Sequence, residues 1–309
     1  MGDIVIHHET LLPRRAENIR RYLESSLSEN TRTAYKSDLQ HFKTCGGDIP
    51  CSPEMLAAYL TDHAESLSMA TLSRRVIAIS KAHTVKGYPD PRTDLVRLTL
   101  KGIKRTHGKP QRQAAPILKE DLTVMLSHAP DNLKGYRDKA LLILGFCAAL
   151  RRSELCAVRV EDLEFTAQGL ILTLPRSKTD VLGKGRKIGI PFGRGRICPV
   201  TLVRLWREQS SIENGPLFVS IRKGGKPTGE QLSDRSIANI IKHYAEKAGL
   251  SPDKYSGHSL RSGLCTSAAQ HGVSSWKIRA QTGHRSDSML ARYIRDGDIF
   301  TDNAAGAIF

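Results

Sequence analysis

Tyr255-Ser256-Gly257-His258-Ser259-Leu260-Arg261-Ser262-Gly263 is the stretch on which the rest of the chain depends. A glycine followed by serine in a polar turn starts a helix, which puts His258 and Arg261 three residues apart on its first turns, facing one way. Backbone N–H groups and a guanidinium converge there on any anion that reaches the helix N-terminus. Alone, such a pair is more often a solvated polar face than a site. Its company lifts it. Downstream lie Thr282-Gly283-His284 and Ala291-Arg292-Tyr293-Ile294-Arg295. Upstream lie Ala149-Leu150-Arg151-Arg152-Ser153-Glu154-Leu155 and Pro175-Arg176-Ser177-Lys178-Thr179-Asp180.

A chain of 309 residues is long enough for two domains, each with its own core and no covalent staples. Its formal charge is +16, from 47 Lys and Arg against 31 Asp and Glu. The excess is spread along the chain, with 18 basic and 12 acidic residues before position 114 and 29 and 19 from there on. Two basic halves point to one shared polyanionic partner, nucleic acid rather than a membrane. No run approaches the roughly 18 apolar residues of a spanning helix. The start has no basic-then-apolar signal pattern, and Met-Gly without Ser or Thr at position 6 does not support myristoylation. Cys45, Cys51, Cys147, Cys156, Cys198 and Cys265 are scattered with no Cys-x-x-Cys pair. Cys147 and Cys156 sit in apolar surroundings, which suits a reducing cytoplasm and argues against a zinc site.

Before residue 101, helix follows helix. Arg14, Arg15, Arg20 and Arg21 lie on a helical pattern, and a second helix from Asn30-Thr31 turns Tyr35, Leu39 and Phe42 to one face. Ser52-Pro53-Glu54 is an N-cap with proline at the first helical position, leading to Leu56, Tyr59 and Leu60. Ser68 opens a further helix with Leu72, Val76 and Ile79 inward and Arg74, Arg75 and Lys81 outward, available to DNA. Residues 101–115 are basic, poor in apolar side chains and broken by Gly108 and Pro110, and so read as linker, with 106–115 as the interdomain segment proper and Lys104, Arg105 and Lys109 as further DNA contacts.

Beyond the linker, helices are expected over 118–129 and 136–150, the second apolar all round at 140–146 and therefore buried. It delivers Arg151 at its end, and Ser153 caps the next helix with Glu154 bracing the arginine. Residues 170–174 and 187–191 read as strands, joined by a polar turn that holds Lys178, Lys184, Arg186 and Lys187. Helices over 201–208, 234–249 and 273–283 follow, with a basic turn at 222–226. Residues 299–309 end in apolar side chains that need burial somewhere.

Taken in order, Arg151, Lys178, His258, Arg261, His284 and Tyr293 resemble the active-site set of the tyrosine recombinases, the phage integrase family. The likeness runs over nearly the whole chain and is similar to the Cre-like branch in Tyr-Ser-Gly-His-Ser-x-Arg-x-Gly, Arg-Ser-Lys-Thr and Tyr-Ile-Arg. It departs at His284, where Cre has tryptophan. The resemblance implies a mainly α protein with a small β-sheet, built as a two-domain DNA clamp. An all-α core-binding domain (12–105) and a basic linker (106–115) would precede an α+β catalytic domain (116–309). It selects Lys178 as the hairpin lysine, with Lys184 the runner-up, and implies Glu154 in support. The partner would be double-stranded DNA with short inverted-repeat core sites, bound by a homo-tetramer whose apolar tail docks on a neighbour. The free protein would be a monomer or weak oligomer, in the cytoplasm and on the nucleoid when bound.

The residue types suit that chemistry. A phenol with a pKa of about 10 lacks roughly 4 kcal/mol of readiness at neutral pH, and a leaving alkoxide near water's value of about 15.7 is the larger obstacle, so a general acid matters more than a base. Lys178 suits that donation, because lysine pKa values fall in a cationic pocket. Arg151 and Arg261 offer planar forks to the non-bridging oxygens, His258 and His284 assist at the phosphate or the phenol, and no metal or other cofactor is required. Two rivals share this architecture: a type IB topoisomerase that relaxes DNA, and a catalytically silent regulator that binds specific sequences.

Overall fold

Serine caps set the rhythm of the amino-terminal part. Ser28, Ser52 and Ser68 each accept a hydrogen bond from the N–H three residues on and start α1 (Glu29–Thr44), α2 (Pro53–Asp62) and α3 (Met69–Val85). The computed structural model describes residues 17–18, 21–22, 26–109, 113–175, 185–195, 197–284, 286, 290–291 and 293. Lys178, Lys184, Arg14, Arg15, Arg20 and the tail 299–309 lie outside the described residues. The chain forms two units, Met1–Arg112 and Gln113–Phe309.

A fourth helix, α4 (Asp94–His107), completes the first unit by adding Val96 and Ile103 to a core of Phe42, Leu56, Leu60, Leu72 and Ile79. The helical structure therefore runs past 105 and through His107, so Lys104 and Arg105 are exposed residues of α4 rather than of a linker. Asp38 is buried and receives Arg74 through two bonds of 2.7 and 2.9 Å. Arg75 is 7% exposed and lies inside the unit, with Nη1 donating to Tyr59 Oη at 2.6 Å. The outward orientation expected for Arg75 is thus corrected: the buried Asp38 carboxylate and Tyr59 hydroxyl draw it inward. Lys81 and Lys109 are exposed.

The second unit opens with α5 (Lys119–Ser127) and α6 (Leu133–Cys147), whose residues 140–146 are buried as their apolar run demands. The short α7 (Arg152–Ala157) leads into an antiparallel sheet of β1 (Leu163–Phe165), β2 (Gly169–Leu174) and β3 (Arg186–Pro191). Leu172 faces Ile188 across that sheet, and both are buried. Then come α8 (Pro199–Ser210), the hairpin β4 (Val219–Ile221) and β5 (Pro227–Gln231), and α9 (Asp234–Lys247). On α8, the fully buried Trp206 satisfies its indole N–H on the Leu217 carbonyl at 2.9 Å. Last are α10 (Ser259–Gln270) and α11 (Ser275–Thr282).

Two backbone features aim the site. The α6 helix stops at Cys147, three residues before its expected end, because Ala149 turns into the left-handed region at φ 49°. The N–H groups of Ala149 and Leu150 then return to the carbonyls of Phe146 and Gly145 in a Schellman arrangement, leaving the Ala149 carbonyl for a partner. Gly263 lets α10 lie against the backbone at Ile117, whose carbonyl a Cβ would strike.

Candidate active site

The α10 helix begins where its sequence predicts, with His258 as N-cap and Arg261 one turn in. Arg261 is 1% exposed, and Nη1 donates to the Ala149 carbonyl at 2.7 Å. Its Nη2 is buried without a hydrogen-bond partner among the described residues, a state that costs about 1–3 kcal/mol unless something fills it. Burial and then Arg151 push its pKa down to about 10, so it remains a cation at neutral pH.

His258 Nε2 lies 2.6 Å from Tyr293 Oη. Desolvation, followed by repulsion from Arg261 and Arg151, lowers the imidazole pKa. With the ring neutral and the phenol protonated, the O–H donates and Nε2 accepts. The tyrosine is seated by packing: Cys265 from α10, Ile278 from α11 and Leu290 form a small buried cluster, against which Tyr293 rests. Cys265 has its pKa raised to about 11 by burial and is not a competing nucleophile.

Arg151 caps α7, in place of the expected Ser153, and Glu154 at the third helical position accepts twice. Its Oε2 takes the Arg151 N–H at 2.9 Å and its Oε1 takes Arg151 Nη1 at 2.5 Å. One buried carboxylate thus starts the helix and fixes the direction of a guanidinium. Arg186 Nη2 lies 3.9 Å from the other side of the same carboxylate. Gln281 on α11 donates to the Cys147 carbonyl at 2.9 Å, fastening α11 to the end of α6.

His284 follows Gly283, whose φ of 69° ends α11. Thr282 Oγ1 has its proton on the Ile278 carbonyl at 2.8 Å and so accepts from His284 Nδ1 at 2.7 Å, leaving Nε2 as the basic nitrogen. Burial first, then Arg261, Arg151, His258 and Arg186, push the His284 pKa down to about 4. Its ring centroid is 5.9 Å from that of Tyr293.

The structure therefore brings Arg151, Glu154, His258, Arg261, His284 and Tyr293 together. Sequence reading passed over Arg186, Gln281, Thr282 and the Ala149 carbonyl. Arg186 was visible only as one charge in a basic turn, and the others act through backbone or hydroxyl groups that leave no residue pattern. Among the described residues one His/Cys group is close enough to hold a metal: His41, Cys45 and His63 in the first unit, with ligand atoms within 4.8 Å of one another. There His41 Nδ1 is 2.9 Å from Arg75 Nη1, a fixed cation that would oppose a second one. No helix among the described residues is long and apolar enough to cross a membrane.

Residues 116–298 match the profile of the phage integrase family. An integrase/recombinase XerD homolog of Selenomonas ruminantium is 41% identical over 301 residues, covering 94% of this chain and 88% of that protein. The recombinase Cre of Escherichia phage P1 is 27% identical over 274 residues, covering 82% and 78%. A lambda integrase dimer bound to a COC′ core site shares the fold at a TM-score of 0.65 and 18% identity, over 93% of this chain and 78% of that one.

Proposed function

Because the chain belongs to the phage integrase family, the tyrosine recombinases that cut and rejoin DNA, we propose that it exchanges strands at specific sites through a 3′-phosphotyrosyl intermediate formed on Tyr293. One observation carries the reading: a phenol already hydrogen-bonded to a neutral imidazole lies in the same cluster as a buried guanidinium with an unused donor. A phosphodiester is the anion that would occupy both.

In the cleavage step Tyr293 Oη attacks phosphorus while its proton passes to His258 Nε2. The bond from phosphorus to the 5′ oxygen breaks, and that oxygen takes a proton from Lys178. Arg261 Nη2 and the free face of Arg151 hold the non-bridging oxygens, where loss of one donor costs about 10² to 10³ in rate. Burial first and then the surrounding cations keep His284 neutral; a phosphate offsets the cations, so the ring takes up a proton more readily and can donate to it. Ligation is the reverse, with a 5′ hydroxyl of another strand attacking the phosphotyrosine. The bond energy is kept in the ester.

The target is duplex DNA with short inverted-repeat core sites, joined by four copies, with residues 299–309 docking between neighbours. A lambda integrase tetramer on a Holliday junction has a related fold. Between encounters the protein is a monomer or weak oligomer in the cytoplasm, and on the nucleoid when bound. The test begins by trapping covalently linked host DNA to recover the site. A nicked suicide duplex of that site should then give a protein–DNA adduct with the wild-type chain and none with Tyr293→Phe. An adduct formed equally by both chains would remove the assignment of Tyr293.

A further inference from the structure

Arg186 stands where three pieces of the site meet, and no step above uses it. It is the first residue of β3, paired in register with Leu174, and so closes the base of the β2–β3 hairpin in whose connection Lys178 lies by sequence. Its Nη1 donates to the Gln281 carbonyl at 3.0 Å, three residues before His284. Its Nη2 lies 3.9 Å from Glu154 Oε2, on the carboxylate that clamps Arg151. Gly283 passes so close to Nη1 that a Cβ there would collide with it.

As a contributor to folding the residue is poorly placed. Nε and Nη2 are buried with no hydrogen-bond partner among the described residues, and desolvation outweighs the attraction of Glu154, which the repulsion from Arg151 further offsets. An unbranched apolar side chain would fill the space without the desolvation cost, giving up one bond to the Gln281 carbonyl and a long approach to Glu154, which keeps both of its bonds to Arg151. We infer that Arg186 is a positioning residue for strand cleavage, a strut that sets the β2–β3 hairpin, the Arg151–Glu154 pair and the His284 turn at one mutual spacing. It touches no reacting atom. Its effect is geometric, because a misplacement of about 1 Å in a near-attack arrangement can cost about 10²-fold in rate.

The inference rests on the phosphotyrosyl reading, and one experiment separates the two. In single-turnover cleavage of the suicide duplex, Arg186→Met is expected to be about 10- to 100-fold slower than wild type while binding the duplex within about twofold and melting at the wild-type temperature or above. Arg186→Lys recovers part of the rate. The double variant with Glu154→Gln is no slower than the slower single one, because both act through Arg151. A wild-type rate in Arg186→Met overturns the inference, as does a rate loss accompanied by an equal loss of thermal stability. Should the methionine variant fail to fold, Arg186→Gln, which keeps a donor for the Gln281 carbonyl and removes the charge, carries the same comparison. Absence of adduct from the wild-type chain removes the phosphotyrosyl reading, and this inference with it.

Discussion

His284 shows how burial and neighbouring cations keep one side chain neutral. Its pKa is about 4 in the folded protein against about 6.5 in an unfolded chain, so as pH falls the unfolded state takes up the proton first. The stability tied to the neutral ring is whole above about pH 6.5 and is lost progressively as pH falls toward 4. His258 is shifted in the same direction. The urea midpoint of the wild-type chain is therefore expected to drop more between pH 7 and pH 5 than that of His284→Gln; equal drops would show that His284 has no such linkage. The positions of His258, Arg261 and Tyr293 were legible because order, spacing and local motif agree on them. The lowered pKa was not, since it comes first from burial and then from Arg261, Arg151, His258 and Arg186, groups far apart in sequence that only the fold brings together.

Among elements, those with a strong apolar period and a serine cap were readable, and those held by neighbours were not. The α1, α2 and α3 helices begin at Ser28, Ser52 and Ser68, where a short side chain can satisfy an open N–H. The later part of α4 reads as linker because Lys101, Lys104 and Arg105 mask a narrow inward face of Val96 and Ile103, with Leu100 half-buried beside them. Similarly, α6 was read three residues too long, since nothing in the run Ala148-Ala149-Leu150 announces a left-handed alanine. The element bearing Tyr293 depends on a contact of the same local kind. Leu290→Ala would remove a fully buried side chain from the cluster with Cys265 and Ile278, a change that costs about 2–5 kcal/mol in a well-packed site. Because that cluster is separate from the main core, the expected result is slower cleavage with little change in the global melting temperature, measured by single-turnover assay and calorimetry. Wild-type cleavage would mean that the tyrosine is seated by something else.

Over the whole molecule, charge governs how the protein meets its partner. Each phosphate neutralised contributes about −0.9 to the slope of log binding constant against log salt. A chain with a formal charge of +16 should bind its duplex with a steep slope, read by fluorescence anisotropy over a salt series. Lys81→Ala and Lys104→Ala, on exposed faces of α3 and α4, should each make the slope shallower by about one, whereas the guanidinium of Arg75 is enclosed beside Asp38 and has no phosphate to lose. Slopes unchanged by both lysine variants would move the duplex to another face. Net charge predicted the class of partner, but it could not separate Arg75 from its neighbours, because burial depends on Asp38 and Tyr59 in other helices.

The apolar triplet beneath the Tyr293 ring belongs to the same polypeptide as both histidines. A solitary copy holds its phenolic oxygen against its own imidazole at 2.6 Å. On the proposed reaction, a second copy would regulate the moment of firing, not the supply of ammunition.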